Sequence, residues 1–225
     1  MKTQKMTSFT KGNIKLINAD CMEIMKSYPD NYFDCAVVDP PYGIGASRAT
    51  GTYARKATNY TAANDKKWDE TIPEESYFNE LFRVSKNQII WGGNYMSKFL
   101  PSSQGWICWY KTDELKGRDF SEFELAFTSF KKAARHIELR PFIKSFDRIH
   151  PTQKPVKLYN FCFDYAKATK DFKILDTHGG SFNSAISAFY FGVAEFVGCE
   201  IDAEYYHKSV KRFQNLTMEQ RISFD

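Results

Sequence analysis

The chain contains no Cys-x-x-Cys pair, and its five cysteines, at 21, 35, 108, 162 and 199, are an odd number. That count and spacing argue against both a zinc site and a disulfide framework, and favour a reducing, cytoplasmic setting. No stretch approaches the roughly 18 consecutive apolar residues that a membrane span needs. The opening "MKTQKMTSFTKGN" lacks the apolar region of a signal peptide. Neither charge sign dominates: 31 Lys and Arg against 27 Asp and Glu leave a net +4. Such a balance permits an anionic partner without requiring one, so a nucleic-acid surface has to arise from local clustering. Internal repeats and low-complexity tracts are also lacking, and no fibrous or disordered class fits.

What is present is enough apolar material for a full core. With 225 residues, 43% hydrophobic and 16% aromatic, the chain reads most simply as one domain spanning 1–225. Short apolar strands recur at 14–18, 35–39, 88–92, 106–110, 123–128, 173–177 and 195–200. Helical periodicity lies between them at 22–27, 76–84, 157–168, 183–191 and 203–216. This alternation predicts an α/β fold with a mostly parallel sheet of seven strands. Two stretches lack the periodicity and are basic: 44–67, which reads as a long loop, and 131–149, where aromatics are interleaved.

Four motifs carry chemistry. In "CAVVDPPYGIG" the strand has to stop at Asp39, because Pro40 and Pro41 cannot donate to a sheet ladder. The two rings restrict the backbone and hold the Asp39 carboxylate, the Pro40 carbonyl and the Tyr42 ring in a fixed relation. His150-Pro-Thr-Gln-Lys-Pro155 is a polar, stiffened segment ahead of an amphipathic helix. "LDTHGGSFNSAIS", 175–187, is a strand, a glycine pair and a helix start whose backbone amides suit an anion. Glu200 ends a strand about twenty residues beyond that pair, the spacing at which an acid often holds ribose hydroxyls.

With these motifs in this order, the chain resembles the amino-methyltransferases of DNA, and within them the permuted beta group of small phage and prophage adenine-N6 enzymes. The resemblance covers nearly the whole chain. It implies a Rossmann-like fold with circularly permuted motif order, S-adenosylmethionine as cofactor, and double-stranded DNA as partner with the target base flipped out. Residue by residue, Asp39 and the Pro40 carbonyl would accept from the target amine, with Pro41 holding the turn and Tyr42 stacking on the base. Asp176, Gly179, Gly180 and Ser181 would cradle the methionine part of the cofactor, Asp39 bordering it. Glu200 would take the ribose and Asp20 the adenine. His150, Thr152 and Lys154 match the family's segment near the methionine carboxylate. The basic stretches are expected to flank the DNA, through Arg48, Arg55, Lys56, Arg135 and Arg140.

The expected activity is adenine-N6 methylation, in a restriction-modification context. Cytosine-N4 methylation is the alternative, since the same acceptors can hold either amine. A cytosine-C5 mechanism needs a thiolate, in that family following a proline, and none of the five cysteines follows one. The family's loop usually reads Asp-Pro-Phe-x-Gly-Ser-Gly-Thr, whereas here Phe182 and Asn183 occupy its last two positions. Either Phe182 crowds the cofactor pocket, as in a catalytically silent nucleic-acid-binding relative, or the Gly179-Gly180 pair shifts the loop and Phe182 packs into the core.

Overall fold

A computed structural model describes residues 6–45, 68–112, 116, 121–141 and 148–218. Among the described residues nine strands form one sheet: β1 (Thr7–Lys11), β2 (Ile14–Asn18), β3 (Cys35–Val38), β4 (Gln88–Trp91), β5 (Trp106–Tyr110), β6 (Phe123–Thr128), β7 (Arg135–Glu138), β8 (Lys173–Asp176) and β9 (Glu195–Glu200). Their spatial order is β1-β2-β9-β8-β3-β4-β6-β5-β7. The five central strands from β2 to β4 are mutually parallel, while β1 and β6 run antiparallel to their neighbours. The two strands beyond the expected seven are the edges β1 and β7, whose sequences TSFTK and RHIE contain no apolar run. They gain strand form from pairing with β2 and β5.

Alternation along the strands divides the core. Cys35, Val37, Ile89 and Trp91 face one layer, with Leu158, Phe163, Ala185, Ile186 and Phe213 from α3 (Val156–Ala166), α4 (Asn183–Phe191) and α5 (Ala203–Met218). Ala36, Val38, Ile90 and Leu175 face the other, with Ile24, Met25, Tyr77, Phe78, Leu81 and Val84 from α1 (Cys21–Lys26) and α2 (Glu75–Val84). β3, β4, β8 and β9 are buried on both faces along nearly their whole length, hence their apolar runs, while β2 exposes Lys15. No helix among the described residues is long and apolar enough to cross a membrane.

This order creates a switch point. From β3 the chain goes on to β4 on one side, and from its neighbour β8 to β9 on the other. Connections therefore diverge between the carboxyl ends of β3 and β8, where a doubly wound sheet leaves a crevice for ligands. Asp39 follows one of those ends and Asp176 closes the other.

Candidate active site

Four acids stand at the carboxyl ends of four adjacent strands: Asp20 after β2, Glu200 on β9, Asp176 on β8 and Asp39 after β3. Each is held differently. The exposed Asp20 caps α1, accepting the Met22 N–H at 2.8 Å. Glu200 accepts the Gly180 and Asp202 N–H groups, both at 2.8 Å. Asp176 accepts the His178 N–H at 3.0 Å and the Ser184 hydroxyl. Burial raises the Asp176 carboxyl to about 7, against those two bonds and helped by the charges of Asp39 and Glu200.

The Asp-Pro-Pro-Tyr turn is braced from below. Asp69, almost fully buried, accepts the Tyr42 N–H at 2.6 Å and the Gly43 N–H at 3.1 Å. Pro40 is buried and Pro41 half-buried. The Tyr42 hydroxyl donates to Asp39 Oδ1 at 2.7 Å, and its ring lies against Gly92, where any Cβ would come within 2.2 Å of it. Tyr95, 42% exposed, stacks on Tyr42 with centroids 5.2 Å apart and a 17° tilt. Tyr42 is thus a wall of the site in this structure, and Tyr95 carries the more open aromatic surface beside it.

Lys154 reaches this cluster from the residue before Pro155. Its ammonium donates to Asp39 Oδ2 at 2.6 Å and to the Tyr42 hydroxyl at 3.0 Å, and it pairs with Glu124 Oε2 at 3.0 Å. Lys111 pairs with the other Glu124 oxygen at 2.7 Å. The Lys154 side chain is only 3% exposed. Burial would strip its proton, but Asp39 and Glu124 hold its pKa above the ordinary lysine value. Burial likewise opposes the charge on Glu124, yet Lys154 and Lys111 bring it down to about 2. At Asp39 burial prevails: it raises the carboxyl, Lys154 opposes the rise, and Glu124 adds to it.

The glycine loop takes a path of its own. Gly179 donates to the Cys199 carbonyl at 2.8 Å, and Ser209 donates to the Gly180 carbonyl at 2.6 Å. Phe182 adopts φ 50° and ψ 34°, the left-handed region that glycine favours, and is completely buried. Its ring fills space that two glycines leave open: a Cβ on Gly179 would stand 1.9 Å from it, and one on Gly198 2.9 Å. It meets Tyr206 edge to face at 6.3 Å. Asn183 donates to the Lys154 carbonyl and accepts from Arg212, both at 2.6 Å, tying the loop to the start of α3 and to α5. Ser181 is buried. His150 packs over Gly180, against Tyr205 at 4.5 Å and Trp68 at 5.1 Å. Thr152, exposed, has Oγ1 3.2 Å from His150 Nδ1.

The structure therefore places His150 and Thr152 beside the glycine loop, and Lys154 on Asp39. Arg135 opens β7, four strands from β3, beside a shallow depression shared with Lys132, Asp164 and Lys167 at the carboxyl end of α3. Arg140 lies just past the other end of β7, where Leu139 donates to the Tyr110 carbonyl next to Lys111. Arg48, Arg55 and Lys56 lie outside the described residues, as do 46–67 of the first basic stretch and 142–147 of the second.

Sequence reasoning passed over Glu124, Lys111 and Asp69; the signal for the first was an acid inside the apolar strand FELAFT. It also passed over His178, whose Nδ1 lies 2.9 Å from Thr177 Oγ1, itself 2.7 Å from the Tyr77 hydroxyl. Burial lowers His178 to about 4, with Asp20 opposing, so its ring is neutral at pH 7.

Comparison with known proteins bears on the fold. No family model matches the chain. It is 22% identical to the type II methyltransferase M2.MboI of Moraxella bovis, over 91% of this chain and 89% of that protein. Among solved structures it is similar to the complex of M1.HpyAVI with SAM, at a TM-score of 0.55 and 18% identity, covering 88% of this chain and 99% of the other. It is also similar to the PvuII DNA methyltransferase, which is cytosine-N4-specific, at a TM-score of 0.63 and 13% identity, covering 93% and 92%. The chain has the α/β fold of these methyltransferases.

Proposed function

We propose that this chain is a DNA methyltransferase that uses S-adenosylmethionine to methylate an exocyclic amine, with adenine N6 as its target. One observation carries the reading: the rigid Asp39-Pro-Pro-Tyr42 turn sits at the switch point of the sheet, directly beside the Asp176 loop. The residues present suit the cofactor. Acids at the ends of β2, β9, β8 and β3 match a ligand with cationic sulfonium and ammonium groups, and Glu200 is already oriented by two backbone N–H groups. When bound, the cofactor supplies a methyl group activated for direct displacement.

The protein's own part is to make a poor nucleophile competent. An exocyclic amine has its lone pair delocalised into the ring. Acceptors pulling on its N–H bonds favour a tetrahedral nitrogen and free that pair. Asp39 retains capacity for this, because a carboxylate offers about four acceptor positions and Tyr42 and Lys154 use two. The Pro40 carbonyl is the second acceptor. On methylation the amine would give up one proton, and Asp39, raised by burial, is placed to take it. Alignment does the rest, with no covalent intermediate.

Adenine is favoured by the Asp that begins the motif. Cytosine N4 is the second reading, supported by the likeness to the PvuII enzyme. The buried seat of Phe182 speaks against a silent relative, since the ring lies in the core. Mass spectrometry of nucleosides from DNA incubated with protein and cofactor tests all three: N6-methyladenine is expected, N4-methylcytosine would replace it, and no methylated nucleoside would reject the proposal.

A further inference from the structure

Asp39, Lys154, Glu124 and Lys111 form a chain of alternating charge with contacts of 2.6, 3.0 and 2.7 Å. Lys154 is at its centre and is fixed from the backbone outward, since Asn183 clamps its carbonyl and Pro155 follows it. With its ammonium spent on Asp39, Tyr42 and Glu124, it has a different address from the methionine carboxylate that the family resemblance implies. The geometry points to Lys154 as the residue that orients Asp39 and sets its charge state, and to Glu124 as a positioning residue that shares the ammonium and so limits how strongly Lys154 acidifies Asp39. This deepens the proposed function and rests on it for the meaning of Asp39.

The physical argument concerns two opposed demands on one carboxylate. To pull on an N–H it has to be ionised, and in a buried site that requires a nearby cation. To receive the departing proton it has to stay basic, and a fully committed ammonium 2.6 Å away would prevent that. Glu124 reconciles them by drawing on the same ammonium from the other side, while Lys111 keeps Glu124 itself ionised. The other titratable groups facing Asp39 are the Tyr42 hydroxyl, and, further off, Tyr159 of α3 and Asp176 of β8. None of these is a cation; among the described residues the charge is stabilised by the Lys154 ammonium, with the hydrogen bond from the Tyr42 hydroxyl adding to it.

Isosteric changes on the two sides act in opposite directions. Glu124→Gln removes the carboxylate that competes with Asp39 for the ammonium and makes Asp39 more acidic. Lys154→Met removes the cation and makes it less acidic. A residue that only braced the fold would not produce opposite displacements.

The test is a pH titration of the full chain with 13C-labelled aspartate carboxyls, the Asp39 resonance being identified by its loss in Asp39→Asn. S-adenosylmethionine titration and methyl transfer to DNA are measured in parallel. The Asp39 midpoint is expected to fall by about one pH unit or more in Glu124→Gln and to rise by about as much in Lys154→Met. The acid limb of kcat/KM moves with it, and cofactor affinity stays within about threefold. Midpoints that do not move, or that move together, overturn the inference. So does a loss of cofactor affinity of about tenfold or more in Lys154→Met with Asp39 unmoved, which would return the ammonium to the cofactor. If Lys154→Met does not fold, Glu124→Gln decides alone, and an unmoved midpoint refutes the coupling. A parent protein that methylates no base would reject the proposed function, while the titration would still report on the network.

Discussion

Replacing Phe182 with glycine restores the residue that the family loop carries, and the structure says that this restoration harms the protein. The ring is fully buried among Gly179, Gly198 and Tyr206. Deleting a large aromatic side chain from a core costs about 3 to 5 kcal/mol in lost transfer energy and cavity formation. Glycine relieves the positive φ of a non-glycine residue, a gain of about 1 to 2 kcal/mol. It also adds unfolded-chain entropy that costs about 0.4 to 1 kcal/mol. The net is a loss of about 2 to 4 kcal/mol, or roughly 5 to 15 °C in Tm for a chain of this size. Calorimetric unfolding measures the loss, and calorimetric titration with S-adenosylmethionine should show no tighter binding. The two glycines sharpen the test. Gly179→Ala drives a Cβ to 1.9 Å from a ring that has nowhere to go, so it destabilises the parent but is tolerated in Phe182→Gly. The double-mutant cycle should report a coupling of about 1 to 3 kcal/mol. A variant Phe182→Gly that melts as high as the parent and binds cofactor more tightly, with additive effects at Gly179, would refute the packing argument.

Asp39→Ala should reduce methyl transfer by about 100-fold or more while leaving cofactor affinity nearly intact, since this carboxylate addresses the target amine; parental turnover in a tritium-transfer assay would remove Asp39 from the site. Asp176 is raised to about 7 in the folded state, so between its unfolded pKa near 4 and pH 7 the folded chain binds the extra proton and stability falls as pH rises. Asp176→Asn should therefore lack that part of the decline, and Tm curves of parent and variant that run parallel from pH 5 to about 7.5 would contradict the burial assigned to it. Arg140, at the carboxyl end of β7, should contribute to DNA binding: Arg140→Ala is expected to make the negative slope of log K against log salt shallower by about one. Equal slopes for parent and Arg140→Ala, in fluorescence anisotropy with duplex DNA, would place the duplex elsewhere.

Much of the architecture was legible because the central strands are buried on both faces and so betray themselves as apolar runs. β3, β4, β8 and β9 all lie where the runs CAVVD, QIIWG, KILDT and EFVGCE predict, with ends within a residue. α2 shows its buried stripe at Tyr77, Phe78, Leu81 and Val84. The edges were not legible. In β7 three of four residues are exposed, so no hydrophobic period exists to read, and only the register with Ile107 to Tyr110 makes it a strand.

The site divides in the same way, by the range of the interactions that build it. Asp39 and Tyr42 are fixed by their immediate neighbours, the two prolines, and local chemistry can be read from local sequence. Lys154 is 115 residues from Asp39, and the Tyr42 hydroxyl meets a carboxylate 82 residues away, so their meeting depends on how β3, β4 and β6 are staggered. Gly92 donates to the Leu125 carbonyl, which sets Glu124 at the level of the chain beyond Asp39. One step of slip along β6 would turn Glu124 to the opposite face of the sheet and leave the Lys154 ammonium with Asp39 and the Tyr42 hydroxyl. The charge state of the acceptor therefore depends on strand register, a property that neither the Asp-Pro-Pro-Tyr motif nor the His-Pro-Thr-Gln-Lys-Pro motif contains.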